Sequence, residues 1–267
     1  MKTRQLFYGL ALIALVIFAV PTSAQNLQPN YAVVAWSPNG EFIAEGGQNG
    51  LLQLRDATTG QVVTTFQGAW GTVNSIDWSP DSTKIVTEDS DPLVKMWDIN
   101  TGQLITSLQG HIASVYSVAW SPDGTRIASI SLEDTLTLRV WNATTYQSLN
   151  IIYAGYTGSV AWNPSSNRLA YVHYGKGTFV IDPSQTISPY DLGQYNISGF
   201  NGSSAVTWSP EGSYLAIADV ATRNIGIWLI RTEEQLVTLS GHTDEITSLT
   251  WSSANNTGLS LMHLPHP

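Results

Sequence analysis

Cysteine is absent from this chain of 267 residues. No disulfide can staple it and no thiolate can serve as nucleophile or metal ligand, so packing alone must hold the fold. Basic residues are few, 11 Lys and Arg against 20 Asp and Glu, and they are scattered along the sequence. Such a surface repels phosphate backbones and lacks the usual electrostatic footprint of nucleic-acid binding. Methionine is scarce and helical periodicity is missing beyond the first two dozen residues. Past that point no apolar run approaches the roughly 20 residues that a membrane-spanning helix requires. No His-Glu-x-x-His pair, calcium-loop spacing or phosphate-cradling glycine loop occurs, so neither a metal nor a cofactor is expected.

The amino terminus carries a different pattern. Lys2 and Arg4 form a basic start, Leu6 to Val20 run without a charge, and Thr22-Ser23-Ala24 supplies small residues. This is the three-part grammar of a secretory signal, with cleavage expected after Ala24 and a domain over 25–267. The rival reading is an uncleaved anchor, for which the apolar run is short. Cleavage would remove Lys2 and Arg4 and leave nine basic residues against 20 acidic, a balance of −11 where the whole chain has −9. The expected location is secreted or periplasmic, with no membrane span after signal removal.

Tryptophan supplies the main ordering feature. Trp36, Trp78, Trp120, Trp162, Trp208 and Trp251 each close a short apolar strand, at steps of 42, 42, 42, 46 and 43 residues. Four of the six read Trp-Ser-Pro, and the fourth reads Trp162-Asn163-Pro164. Each unit holds four short alternating segments separated by Gly-, Asp- and Asn-rich turns, the pattern of an antiparallel four-stranded meander. A period of this length marks a repeat architecture in which neighbouring units bury one another's apolar faces. Units are expected to start near residues 31, 73, 115, 158, 204 and 246. The pattern stops after Ser253, so the expectation is an all-β propeller of five full blades and a partial sixth, with a fragment of a longer protein as the preferred explanation.

Trp97-Asp98 at the end of a third strand, Gly110-His111 and Gly241-His242 before first strands, and Ser121-Pro122-Asp123-Gly124 together resemble the WD40-repeat family of β-propellers. Most units are degenerate, with Arg55-Asp56, Trp141-Asn142, Ile181-Asp182 and Trp228-Leu229 in the Trp-Asp place. The resemblance implies that His111, Ser129, Asp134 and Trp141 form a structural hydrogen-bonded set inside the third blade. The second unit keeps Thr87, Asp91 and Trp97 but has Ala69 in the His place. A His–Ser–Asp trio invites a catalytic reading, but in the family these side chains are tied up in the blade. No Gly-x-Ser-x-Gly elbow is present to expose a nucleophile.

Three further features call for weighing. His173 is the one histidine outside the repeat positions and the tail, and packing or a loop contact explains it better than catalysis. Glu88-Asp89-Ser90-Asp91 offers oxygen ligands, but a calcium cage needs six or more around one point, so a solvated acidic turn is expected. Trp70 departs from the repeat, aligning with Ile112 of the third unit and Thr243 of the sixth in the loop between blades. It either packs on Gly71 and the adjacent blade or anchors a partner, since Trp and Tyr are enriched among binding hot spots. The resemblance places Asn74 and Tyr116 on the same rim, with Ser90 and Glu133 just before the turn aspartates. The other nine tryptophans are assigned to the core.

The leading functional expectation is a non-catalytic, exported scaffold that binds a protein or peptide on this rim, through Trp70, Asn74, Ser90, Tyr116 and Glu133. The alternative is an exported enzyme or small-ligand-binding propeller using the central channel. A purely structural module in a larger secreted chain is a third.

Overall fold

The computed structural model describes residues 31–131, 137–153, 159–173, 177–183, 195–197, 203–244, 246, 248–251 and 259–260. The first sheet is β1 (Tyr31–Trp36), β2 (Phe42–Gly47), β3 (Leu52–Asp56) and β4 (Val62–Thr65). The second is β5 (Ser75–Trp78), β6 (Lys84–Glu88), β7 (Val94–Asp98) and β8 (Leu104–Leu108). The third is β9 (Val115–Trp120), β10 (Arg126–Ser131), β11 (Thr137–Asn142) and β12 (Ser148–Tyr153). The fourth is β13 (Val160–Trp162), β14 (Leu169–His173), β15 (Gly177–Ile181) and β16 (Tyr195–Ile197), and the fifth β17 (Ser203–Trp208), β18 (Tyr214–Asp219), β19 (Ile225–Leu229) and β20 (Glu234–Leu239). A two-stranded sheet, β21 (Thr250–Trp251) with β22 (Leu259–Ser260), follows. Each four-stranded sheet is an antiparallel meander in sequence order. The fold is thus all-β, five four-stranded blades and a further pair, consistent with a propeller.

Two recurrent turns explain the sequence signature. After the first strand of blade two, Ser79 Oγ donates to Asp81 Oδ1 (2.6 Å), and that oxygen also accepts the Thr83 N–H (3.0 Å). Ser121 and Asp123 repeat this in blade three (2.6 Å), as do Ser37 and Asn39 in blade one (2.7 Å). Ser-Pro-Asx therefore closes a turn through its own side chains. The hydrogen bond from Ser79, with those from Thr83, holds the Asp81 carboxyl down at about 2. After the third strand, Asp98 Oδ1 accepts the Thr101 N–H (2.8 Å), as Asp56 accepts that of Thr59 (2.7 Å) and Asn142 that of Thr145 (2.7 Å). The Asp of Trp-Asp caps a turn, and Asn142 serves equally well.

Each apolar cluster lies between two consecutive sheets. Leu52, Leu54 and Phe66 of blade one meet Trp78, Ile85 and Trp97 of blade two, whose other face meets Val115, Val118 and Trp120 of blade three. The same holds between blades three and four, four and five, and five and the final pair. Consecutive first strands touch from β1 through to β21 and form the inner wall, while β4 and β20 are largely exposed and form outer edges. A tryptophan ladder stitches the inner wall together. Trp78 Nε1 donates to the Ala35 carbonyl (3.0 Å), Trp162 to Ala119 (3.1 Å), Trp208 to Ala161 (3.1 Å) and Trp251 to Thr207 (3.3 Å). Each acceptor immediately precedes the tryptophan of the blade before. Trp120 breaks the series and donates to Gly124 (3.2 Å), because the residue before Trp78 is Asp77, whose carboxylate takes the Trp120 backbone N–H (2.6 Å).

One core assignment fails. Trp36 is 56 % exposed where Trp78 is 4 % exposed. Val34 and Trp36 share a face of β1 opposite Val33 and Ala35, which pack on the blade-two side, and among the described residues no sheet covers that face. Trp78, Trp120, Trp162 and Trp208 are each buried with residues of the blade before, and Trp36 has no such blade before it among the described residues.

Candidate functional site

The face on which the inter-blade loops and second-to-third strand turns meet differs between blades two and three. In blade three His111 Nε2 lies 2.8 Å from Ser129 Oγ, and Trp141 Nε1 donates to the same oxygen (2.8 Å). The His111 and Trp141 rings meet edge to face at 5.9 Å, and all three residues are buried. Ser129 is thus a hub that ties the loop before β9 to β10 and β11. Asp134 and Glu133 lie outside the described residues. Ser131 Oγ donates to the Ala113 carbonyl (2.7 Å) and Arg139 Nη2 to that of Gly110 (2.7 Å), so side chains hold this loop at both ends.

Blade two has Ala69 in place of the histidine and solves the same problem with charge. Trp97 Nε1 still donates to Thr87 Oγ1 (2.9 Å). The Trp70 backbone N–H now donates to Asp89 Oδ2 (2.8 Å), and Lys95 Nζ bridges Asp89 and Asp91, each at 2.6 Å. Asp89 and Lys95 are buried. Burial works against the Lys95 ammonium, but the two carboxylates outweigh it and raise its pKa above the ordinary value. Blade one answers differently again: Arg55 stands at the Trp97 position and Glu45 at the Thr87 position, joined by a 2.6 Å ion pair.

These contacts fix the Trp70 loop. The Ser90 N–H donates to the Trp70 carbonyl (3.1 Å), Thr72 N–H to Ser90 Oγ (2.9 Å) and Val73 N–H to the Gly47 carbonyl (3.0 Å). The Gly50 N–H donates to the Gly71 carbonyl. Gly71 has φ +69°, and a Cβ there would sit 2.3 Å from Ser90 Oγ, so the close approach of the two turns requires glycine. The Trp70 side chain nevertheless stands 66 % exposed. It does not join the core. Ile112, at the equivalent place in blade three, and Tyr116 are also exposed. Ser114 Oγ donates to the Ser90 carbonyl (3.3 Å) and links the two loops. The structure thus brings Trp70 and Ser90 into direct contact and sets Asn74 and Tyr116 at corresponding places on adjacent first strands. His173 ends β14, paired with Gly177.

The family model described as WD domain, G-beta repeat matches residues 60–98, 102–142 and 233–260. The first two matches begin beside the last strand of one blade and end on the third strand of the next. The chain carries WD40 repeats over these residues. No curated protein matches it in a sequence comparison. WD40 repeats generally mediate protein–protein association, and such propellers are typically non-catalytic scaffolds.

Sequence reasoning missed the acid beneath this WD40 rim. Glu88 and Asp89 do not form a solvated turn, since Glu88 is 1 % exposed and Asp89 wholly buried. Neither Glu88 oxygen has a well-formed hydrogen bond, although Asn74 lies close enough for its amide and backbone N–H to offset part of the strain. Burial, reinforced by Asp89 and Asp91, pushes its pKa up to about 8. Aligning blades on the tryptophan register would have shown the anomaly. The residues equivalent to Glu88 are Gly46, Ile130, Val172 and Ala218. Asp77 is a second departure, where the other full blades have Ala35, Ala119, Ala161 and Thr207; burial lifts its carboxyl to about 6. Among the described residues no three His, Asp or Glu side chains gather in a metal-holding group.

Proposed function

We propose that this chain is an exported, non-catalytic WD40 scaffold that binds a protein or peptide on the rim formed by Trp70, Asn74, Ser90 and Tyr116, with Trp70 as anchor. The observation that carries the reading is a large aromatic side chain left in solvent on a loop whose backbone is pinned from both sides. An anchor held in its bound conformation before binding loses little entropy on association, which is the condition for a strong hot spot. Ile112 and Tyr116 extend the apolar arc onto blade three, and the Ser114–Ser90 bond keeps the two loops in step. Export rests on the basic start, the short apolar run and the small residues at 22–24.

The test is a pull-down with the chain followed by affinity measurement on the partner obtained. Trp70→Ala should weaken binding about thirtyfold or more, the effect of losing roughly 2 kcal/mol, with the folded state intact. Unchanged affinity would remove Trp70 as anchor. Expression in a secreting host should yield a product beginning at Gln25; full-length protein retained in membranes would contradict export with cleavage.

A further inference from the structure

The arrangement around Glu88 points beyond a generic rim. Strand alternation turns Thr87 and Asp89 toward blade one and Glu88 toward blade three, on the same face as Val86, which packs with Val115 and Val118. The carboxylate therefore sits at the upper end of the cleft between blades two and three. Beside it is Asn74, exposed, its amide 3.4 Å from the Thr72 carbonyl and close enough to Glu88 to act on the carboxyl, and the exposed Tyr116 holds the corresponding place on blade three. A carboxyl group removed from water with neither oxygen in a well-formed hydrogen bond is costly, and the same site in the other four full blades is small or apolar. Nothing in the fold requires an acid there. Lys95, the nearest buried cation, is committed to Asp89 and Asp91 on the opposite face.

We infer that this cleft receives an arginine side chain of the bound partner, its guanidinium forked onto the two oxygens of Glu88 with Tyr116 alongside and an apolar partner residue on Trp70. Resting on the rim reading above, this deepens it by naming the chemistry recognised. The two oxygens of one planar carboxylate match the parallel N–H donors of a guanidinium, whereas an ammonium presents a single point charge. Guanidinium is also the more weakly hydrated cation and stacks on aromatic faces such as that of Tyr116. Turning the Asn74 amide aside, at the expense of its long bond to Thr72 and its weak contact with Glu88, which the guanidinium replaces, opens the path from the rim. The acidic surface of the chain favours a basic partner segment at longer range.

The experiment is selection of random dodecapeptides displayed on phage against the full chain, followed by affinity measurement with synthetic copies of the selected peptides. Selected peptides should carry a shared arginine beside an apolar residue. Replacing that arginine with citrulline, which keeps the shape and removes the charge, should weaken binding about thirtyfold, the range for truncating one partner of a buried charge pair. Glu88→Gln should do the same, and citrulline should cost nothing further in that background. Glu88→Ile, which installs the residue that blade three has there, should give a folded protein of raised thermal midpoint and equally weakened binding. Peptides that depend on Trp70 but contain no arginine, that accept lysine equally, or whose arginine effect survives Glu88→Gln would overturn the inference and leave the rim reading standing. Peptides indifferent to both Trp70→Ala and Glu88→Gln, or failure to select any, would count against the rim itself.

Discussion

Blades two and three share a period, a register and a tryptophan at the same place, yet they hold the same loop by unlike chemistry. Blade three uses a hub and two tethers: His111 and Trp141 meet on Ser129, Ser131 reaches the Ala113 carbonyl and Arg139 that of Gly110. Blade two replaces the histidine with Ala69 and holds the Trp70 backbone through Asp89, itself neutralised by Lys95. At the Ser131 position the blade-three solution is robust, because losing that hydroxyl removes a neutral hydrogen bond and leaves no buried charge behind. The ionic solution is brittle, because each member depends on its partners to remain charged in a buried setting. The brittle blade is also the one that carries the exposed rim tryptophan and the buried glutamate.

The comparison breaks most sharply at the loop anchors. Asp89→Ala leaves the Trp70 N–H without its acceptor and Lys95 buried with one carboxylate, and should cost about 3–5 kcal/mol in urea unfolding. Ser131→Ala, its positional counterpart, should cost about 1 kcal/mol. Equal costs would mean that the ion pair contributes nothing special. His111→Ala comes next, at about 2 kcal/mol, since it removes a buried hydrogen bond and an edge-to-face ring contact.

A smaller effect, of opposite sign, sharpens the contrast. Glu88→Ile should stabilise the protein at pH 8 by about 1–3 kcal/mol by removing an unsatisfied buried polar group. The pH dependence follows from the raised pKa. Between the ordinary 4.5 and about 8 the folded protein holds the Glu88 proton more tightly than the unfolded chain, so stability falls as pH rises through that window. Asp77 acts in the same direction between 3.8 and about 6. The thermal midpoint should be higher at pH 5 than at pH 8, and Glu88→Ile should flatten the slope; a midpoint that climbed from pH 5 to 8 would contradict the assignment. The smallest effect is Trp70→Ala, within about 0.5 kcal/mol of wild type because the side chain is already in solvent. A large loss of stability would show that Trp70 packs and would take the anchor away.

Much of the fold could be read from local chemistry. The tryptophan period, the alternating strands, the Ser-Pro-Asx turns and the aspartate after Trp97 each act over a few residues, and β1 to β20 fall into five meanders accordingly. The resemblance implies the set His111, Ser129, Asp134 and Trp141, and the structure joins the three of them that lie among the described residues. The acidic stretch was misjudged because Glu88-Asp89-Ser90-Asp91 looks the same whether it faces water or a neighbouring blade. The burial expected of Trp36 fails because Trp36-Ser37-Pro38 reads the same as Trp78-Ser79-Pro80, whose tryptophan is buried.

What the sequence determined by itself was the repeat: where strands begin and end, which way they pair, and which residues close the turns. Those are contacts between near neighbours in the chain. Only the tertiary structure decided that Trp70 stands in solvent while its backbone is pinned, that Lys95 is committed to Asp89 and Asp91, and that Glu88 is buried toward blade three with neither oxygen in a well-formed hydrogen bond. Burial and pairing are settled by the blade that packs against each position. Two identical motifs therefore differ as soon as their neighbours do.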